Sequence, residues 1–221
     1  MRNMSLNRRA SESIDAHFDE GTTKRYLKNE VIVQGDDEEP AGVFFIIEGY
    51  VKAYSISQLG QQNLLLIQGA HEIFPLPWAL DGPQKVGIFY EAMSDAIVKR
   101  TSKSELRAAM GSDPWLTEQI LRQLVDTFTV YAQRIQSLGF RLPRERIISC
   151  LLDLSTRFSE KHGDNTLICA PITHQDIADS TNMTRETASR TIELLIKDKL
   201  LHQENHYFVI NDAVKLQAEL S

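Results

Sequence analysis

The chain has almost no cysteine, since Cys150 and Cys169 are the only two in 221 residues. Two thiols cannot supply the four ligands of an ordinary zinc or iron–sulfur site. The six histidines are scattered, and their spacing is not that of metal ligands on one shared element. The sequence therefore predicts no metal and no cofactor, and both cysteines are interpreted as small packed apolar residues.

Long apolar runs are also missing. No stretch approaches the roughly 18 residues that span a bilayer. The N-terminal residues MRNMSLNRRASES lack the apolar core of a signal peptide. The sequence therefore predicts a cytoplasmic protein with no membrane association, although its 42% hydrophobic residues are enough to build an ordinary buried core.

The chain also lacks an excess of positive charge. It contains 24 Lys and Arg but 30 Asp and Glu, which gives a formal net charge of −6. Neutralising phosphates needs Lys and Arg, so this balance weighs against nucleic-acid binding. It does not exclude such binding, because each copy of a dimer can present a small basic face on an acidic body.

What the sequence does contain, between Tyr26 and about Arg100, is a series of short apolar runs separated by glycine-containing turns. Strands this short are typical of an antiparallel barrel, roll or sandwich. A β-roll enzyme of the cupin type needs several His and Glu ligands on neighbouring strands, and these strands hold almost none. We therefore expect no catalytic residues, and the protein is not predicted to be an enzyme.

The hydrophobic period changes after Asp113-Pro114, where apolar residues recur at spacings of four and three. A second set (Leu121, Val125 and Ala132) widens the stripe, which predicts a long helix that serves its own domain and also a partner helix. The alternative is a helix lying on one core only. The residues predicted to form a homodimer interface are Ile120, Leu124, Phe128, Tyr131 and Ile135, and Leu138 continues their stripe.

The remainder of the chain predicts helices followed by a late hairpin. A helix through Ile147 and Phe158 is expected to end near His162-Gly163. Thr173 and Thr184 are predicted N-caps of two short helices, 175–180 and 186–197. The segments 200–201 and 207–210 read as a two-stranded wing.

The second of these short helices begins with an unusual polar face. Glu186, Ser189 and Arg190 share one side of it, with Arg185 flanking them. Arg offers two donors to guanine O6 and N7, and Glu accepts from cytosine N4. The pattern therefore indicates a helix that reads DNA; the alternative is a solvated helix end with an Arg–Glu surface pair.

The stretch ITHQDIADSTNMTRETASRTIELLIKDKLL, followed by FVIND, resembles the winged helix of the catabolite activator protein/FNR superfamily of bacterial transcription regulators. Residues 43–54 and the turn at 60–62 are similar to the cyclic-nucleotide-binding-type β-roll of that family. The resemblance implies an α+β protein with an antiparallel β-roll (jelly-roll) sensor domain at 1–112. A dimerisation helix with a hinge at 113–140 and a winged helix-turn-helix domain at 141–221 would follow.

The resemblance also implies roles for individual residues. Arg185, Glu186 and Arg190 match the positions that contact bases, in the helix that begins at Thr184, and Ser189 matches a serine of the oxygen-sensing branch. The implied operator is an inverted repeat with TGA-containing half-sites, of TGTGA or TTGA type. Phosphate contacts are expected at the start of the preceding helix, and RNA polymerase is an expected partner if the protein is an activator. The residues expected to touch phosphates are Thr173, His174 and Gln175.

The sensor half departs from the family pattern. Cyclic-nucleotide binding there uses a Gly-Glu pair and an Arg-Ser/Thr pair, whereas this chain reads HEIFPL at 71–76 and QKVGI at 84–88. Cyclic AMP is therefore not expected to bind. We expect instead an unknown small effector that is partly apolar. Three alternatives remain: core packing without a ligand, a haem- or redox-sensing member with His71 as the candidate ligand, and a regulatory module that does not bind DNA. The predicted effector pocket is lined by Phe74, Trp78, Lys85, Phe89 and Tyr90.

Overall fold

The computed structural model describes residues 18, 21–35, 39–82, 87–137, 139–140 and 142–220. They form two compact units, one from the described parts of 1–56 and 66–128, the other from 57–65 and 129–220. The division falls within the long helix, and the domain ends predicted at 112 and 140 stay predictions. Within the described part of the chain, no helix is long and apolar enough to cross a membrane.

Two four-stranded sheets dominate the N-terminal half, with strand orders β1-β8-β3-β6 and β2-β7-β4-β5. The pairs β1–β8, β3–β8, β3–β6, β2–β7 and β4–β7 are antiparallel, so the predicted antiparallel β domain is confirmed. The turn between β3 and β4 needs glycine, because Gly49 has a φ of 93° and an added Cβ would lie 2.4 Å from the Asp95 carbonyl oxygen. The strands are β1 Thr22–Tyr26, β2 Val31–Val33, β3 Val43–Glu48, β4 Val51–Ile56, β5 Gln62–Gln68, β6 Ile73–Phe74, β7 Ile88–Ala92 and β8 Ala96–Thr101.

Two helices in this half were not predicted: α1 at Leu76–Ala79 and α2 at Lys103–Ser112. The second carries a signal that was available in the sequence. Ser102 accepts a hydrogen bond from the Glu105 backbone N–H, and Glu105 accepts one from the Ser102 backbone in return. This Ser-x-x-Glu capping box satisfies two backbone donors that a helix start leaves unpaired.

The long helix α3 spans Pro114–Ser137, as predicted, and one side of its first half belongs to the core of the β domain. Leu116 is fully buried, Ile120 is 1% exposed, and Leu124 packs partly buried against the same cluster. The Gln123 side chain fastens this side to β6, since it accepts from the Ile73 N–H at 3.0 Å and donates to the Ile73 carbonyl at 2.7 Å. The prediction that Ile120 faces a second copy is therefore wrong, because its own domain already covers it. Leu124 keeps part of its side chain exposed, and its place in a dimer interface stays a prediction.

A different set of apolar residues faces outward on α3. Leu121, Val125, Phe128 and Ile135 are exposed, Phe128 to 73% and Ile135 to 68%. With half-buried Ala132 they recur at alternating spacings of four and three residues, which is the repeat of a coiled-coil contact. We call these five residues the α3 seam. Tyr131 is half-buried, and Leu138 lies outside the described residues.

The second unit contains a winged helix-turn-helix. The wing is larger than predicted, because four strands pair in the order β11-β12-β10-β9. The prediction that the first helix continues to about His162 is wrong: it ends at Arg157, and 159–162 is a strand that turns at Gly163 (φ 63°) to pair with the next. The elements are α4 Pro143–Arg157, β9 Ser159–His162, β10 Asn165–Ile168, α5 His174–Thr181, α6 Arg185–Lys197, β11 Leu201–Glu204, β12 Tyr207–Ile210 and α7 Ala213–Ala218.

Candidate nucleic-acid interface

Local hydrogen bonds fix the start of both helices of the motif, at the two predicted caps. Thr173 accepts from the Asp176 N–H, and the Asp176 carboxylate accepts from the Thr173 N–H and hydroxyl in return. Thr184 accepts from the Thr187 N–H at 3.2 Å. Between the helices the chain reverses at Asn182, which adopts the left-handed conformation (φ 53°, ψ 54°) that Asn tolerates better than most residues.

A small apolar core holds α5 and α6 together. Its members are fully buried, and the alanines among them let the two helix backbones approach closely. These residues are Ile177, Ala178, Ala188, Ile192 and Leu195. The core orients α6 so that its polar N-terminal side is left in solvent.

Three of the four residues predicted to read bases lie on that exposed side. Arg185, Glu186 and Arg190 are all exposed, and the Arg190 guanidinium donates to Glu186 Oε1 at 2.8 Å. An exposed pair four residues apart on a helix contributes only about 0.3–0.5 kcal/mol to stability. The pair is therefore a weak structural contact that DNA can replace at little cost.

The fourth residue, Ser189, is half-buried and bonded within the protein. Its Oγ lies 3.0 Å from Nδ1 of His174, whose Nε2 lies 3.3 Å from Nε2 of Gln203 on β11. The His174 ring also stacks on Phe208 of β12, with centroids 5.7 Å apart. Burial and the nearby Arg185 guanidinium lower the pKa of His174, while Glu193 acts in the opposite sense.

The side chains at the start of α5 thus already have hydrogen-bonding partners within the protein in the absence of DNA. Thr173 is committed to its capping box, and Gln175 donates to Asp179 Oδ1 at 2.7 Å. Both ring nitrogens of His174 have protein neighbours. The phosphate contacts predicted for Thr173, His174 and Gln175 stay predictions, and for His174 the structure offers a different role.

A cavity of about 30 Å³ in the β domain includes two of the predicted effector-pocket residues, Trp78 and Tyr90. Two others do not line it. Phe74 is fully buried between Phe44 and Tyr90, and Phe89 stacks on Tyr54 at 5.3 Å. The other residues of the cavity wall are Val33, Gln34, Gly35, Pro40, Pro75, Pro77, Gly87 and Ile88.

The position of Phe89 outside the cavity wall has a simple cause. Neighbouring residues of a strand point to opposite faces, so Ile88 and Tyr90 share the cavity side of β7 while Phe89 points away. The predicted Lys85 lies outside the described residues. Among the described residues no group of three His, Cys, Asp or Glu side chains is placed to hold a metal ion.

Comparison with known proteins identifies one family in each half of the chain. Residues 23–113 match the family described as cyclic nucleotide-binding domain, and residues 145–219 match the Crp-like helix-turn-helix domain. The chain is 28% identical to the nitrogen fixation regulation protein FixK of Azorhizobium caulinodans, over 79% of this chain and 69% of that protein. It is 26% identical to the fumarate and nitrate reduction regulatory protein of Vibrio cholerae, over 81% and 71%.

A solved structure is similar over almost the whole fold. It is that of a CooA mutant from Carboxydothermus hydrogenoformans, with a TM-score of 0.77 at 21% identity, covering 93% of this chain and 90% of that one. At this identity the likeness concerns the fold alone. It agrees with the β domain, long helix and winged helix-turn-helix described above.

Proposed function

The chain belongs to the catabolite activator protein/FNR superfamily of DNA-binding transcription regulators, and on this premise we propose that it binds as a homodimer to an inverted repeat with TGA-containing half-sites. The observation that carries the proposal is the exposed face of α6, with Arg185, Glu186 and Arg190 in its first two turns. The helix N-terminus adds partial positive charge where phosphates approach. A protein that reads operators must share a compartment with the chromosome, so we also propose a cytoplasmic location.

The chemistry of the face suits a TGA half-site. Arg190 can donate in bidentate fashion to guanine O6 and N7, and Glu186 can accept from the N4 amino group of a cytosine. The 2.8 Å bond between them restricts the Arg190 guanidinium before DNA binds. Both side chains are strongly exposed, so each can exchange this contact for a base edge, which supports the proposal that this pair reads bases.

Replacing Arg190 with alanine tests the proposed reading. Removing a bidentate base contact costs about 1–3 kcal/mol on the correct half-site and little on unrelated DNA. Binding isotherms for an operator selected from a random duplex pool, compared with a scrambled duplex, measure the difference. Arg122→Ala is a matched control, because Arg122 forms the same type of exposed pair with Glu118 four residues away on α3. Equal losses on both duplexes for Arg190→Ala would contradict reading by α6.

The α3 seam supports the dimeric part of the proposal. Its alternating spacings of four and three residues suit a second copy of the same helix across a two-fold axis. A two-fold protein binds an inverted repeat, because each α6 then meets an identical half-site. If the protein activates transcription, RNA polymerase is the further partner that we propose.

The β domain is proposed to sense a small effector other than cyclic AMP. The cavity of about 30 Å³ at Trp78 and Tyr90 has room for water molecules rather than for a nucleotide. Pro75 and Leu76 stand in the first region where the family pattern has its Gly-Glu pair, and the Leu76 side chain is apolar and buried. A small, partly apolar compound that widens this cavity fits the lining better than a phosphate, which would lack a clamp.

The match of residues 145–219 to the Crp-like helix-turn-helix domain weighs against the alternative of a β-roll regulatory module that does not bind DNA. That alternative predicts no difference between operator and scrambled duplexes for the unmodified protein. The selection from a random pool separates the two, because only a DNA reader enriches a recurring sequence.

A further inference from the structure

His174 connects the wing to the reading face of α6 through its two ring nitrogens. On one side Nδ1 lies 3.0 Å from the Ser189 hydroxyl oxygen, and on the other Nε2 lies 3.3 Å from the Gln203 amide nitrogen. The ring is also stacked on the fully buried Phe208. Ser189 and Gln203 stand 15 and 29 residues away in sequence, so only the folded motif brings the three side chains together.

The Gln203 contact indicates which nitrogen of His174 carries its proton. In the orientation that the Gln203 side chain adopts, its amide NH2 group faces Nε2 at 3.3 Å and can only donate, so Nε2 accepts. A neutral imidazole that accepts at Nε2 has its proton on Nδ1. That proton is then donated to the Ser189 oxygen, which leaves the hydroxyl hydrogen of Ser189 available to something outside the protein.

The surroundings of His174 favour this neutral form. Burial and the Arg185 guanidinium both lower its pKa, against the opposing effect of Glu193. Arg185 and Glu193 both belong to α6, whereas the wing contributes the uncharged Gln203 and Phe208. At neutral pH the ring is therefore uncharged and can accept at Nε2.

We propose that His174 is a positioning residue that fixes the Ser189 hydroxyl as a hydrogen-bond donor to a base in the major groove. The inference rests on the proposed reading of DNA by α6 and adds to it a preference at the one base that Ser189 contacts. A donor hydroxyl suits the acceptors thymine O4, guanine O6 or N7, and adenine N7, whereas cytosine presents only its N4 donor there. His174 thus acts on sequence preference through Ser189, not by contacting phosphate itself.

The first test needs no DNA. In the ¹⁵N-labelled full chain, long-range proton–nitrogen spectra report which ring nitrogen of His174 is protonated. At pH 7.5 we expect the Nδ1–H form. The Nε2–H form would overturn the proposal, and this result does not depend on whether α6 reads operators.

The second test is a double-mutant cycle on DNA. His174→Phe removes both nitrogens and keeps a ring to stack on Phe208, while Ser189→Ala removes the hydroxyl. Each is expected to weaken binding to the selected operator by about two- to tenfold, the worth of one hydrogen bond, and to leave the scrambled duplex unchanged. The double variant should be no weaker than Ser189→Ala alone, because His174 acts only through that hydroxyl.

A conservative variant separates positioning from packing. The side-chain amide of His174→Asn can still donate to the Ser189 oxygen, so it is expected to recover part of the operator affinity lost in His174→Phe. It also keeps the cycle testable if the phenylalanine variant does not fold. Three outcomes would overturn the role of His174. They are additive losses of operator affinity in the double variant, no recovery of affinity in His174→Asn, and equal losses on both duplexes with a reduced salt slope. Failure of Arg190→Ala to discriminate between duplexes would instead overturn the reading by α6.

Discussion

Truncating Phe128 to alanine removes the one aromatic side chain of the α3 seam. Phe128 is 73% exposed, and an aromatic side chain carries about 150–250 Å², so about 110–180 Å² per protomer is available for burial by a second copy. At about 25 cal/mol per Å² this area corresponds to about 3–4.5 kcal/mol. Alanine retains part of the contact and burial at a helix crossing is incomplete, so we expect a loss of about 2–3 kcal/mol per protomer.

The two-fold axis doubles the effect. A loss of about 4–6 kcal/mol per dimer raises the dimer dissociation constant by about a thousandfold or more, at about 1.4 kcal/mol per factor of ten. Sedimentation velocity over a dilution series measures that constant directly. Operator affinity should fall with it, because two half-sites are then no longer bound by one molecule.

Two control substitutions make the assay specific. Val214 is also strongly exposed but lies on α7, so Val214→Ala should leave the dimer constant unchanged. Ile120→Val should lower the melting temperature, by removing a methylene from the core, and leave dimerisation of the folded protein intact. An unchanged dimer constant in Phe128→Ala, or an equal loss in Val214→Ala, would refute the assignment of the seam.

Four further outcomes follow from the structure. Cyclic AMP should change neither melting temperature nor DNA affinity; saturable stabilisation, which reaches about 2.7 kcal/mol at a hundredfold excess over the dissociation constant, would contradict this. Because the folded-state pKa of His174 is lowered, its contribution to stability is full above the unfolded pKa of about 6.5 and is lost as pH falls through the folded value. His174→Phe should therefore reduce the loss of melting temperature on acidification relative to the unmodified protein. Thr184→Ala removes the cap bond to the Thr187 N–H and should lower the free energy of unfolding in urea by about 1 kcal/mol. Burial raises the pKa of Cys150 to about 11, so only about a thousandth of its thiol groups are ionised at pH 8. Iodoacetamide should therefore label Cys150 far more slowly in the native than in the unfolded chain.

The helix-turn-helix was predictable because its signals are local. Thr173 and Thr184 cap helices that begin at the next residue, and the apolar period places the small core on facing sides. The wing was only half predictable. Strand β9 is entirely exposed and polar, so it has no alternation of apolar and polar residues to mark it, and it exists because β10 offers backbone partners.

Only the structure shows which apolar side of α3 is buried and which is exposed. Ile120 and Leu121 are adjacent and equally apolar, yet one is buried in the β domain and the other belongs to the seam. Sequence spacing predicted two apolar sides but could not say which one the β domain covers. The partners of His174 could not be predicted from the sequence either. Ser189 and Gln203 stand 15 and 29 residues away from it, and contacts at such separations leave no periodic signal. The alternation along β7, in contrast, was present in the sequence and would have separated Phe89 from Tyr90.

The polar strand β9 affects whether the protein can aggregate by pairing its wing sheet with another chain. It lies at one edge of the wing sheet, where unpaired backbone groups could add a strand from another molecule. All four of its residues are exposed, and Glu160 and Lys161 put charges of both signs on that edge. Charged edges disfavour strand addition, so the β9 edge of the sheet is protected from pairing with another chain. The proposed contact through the α3 seam would likewise close after one pairing, so neither this contact nor the β9 edge favours an open-ended fibre.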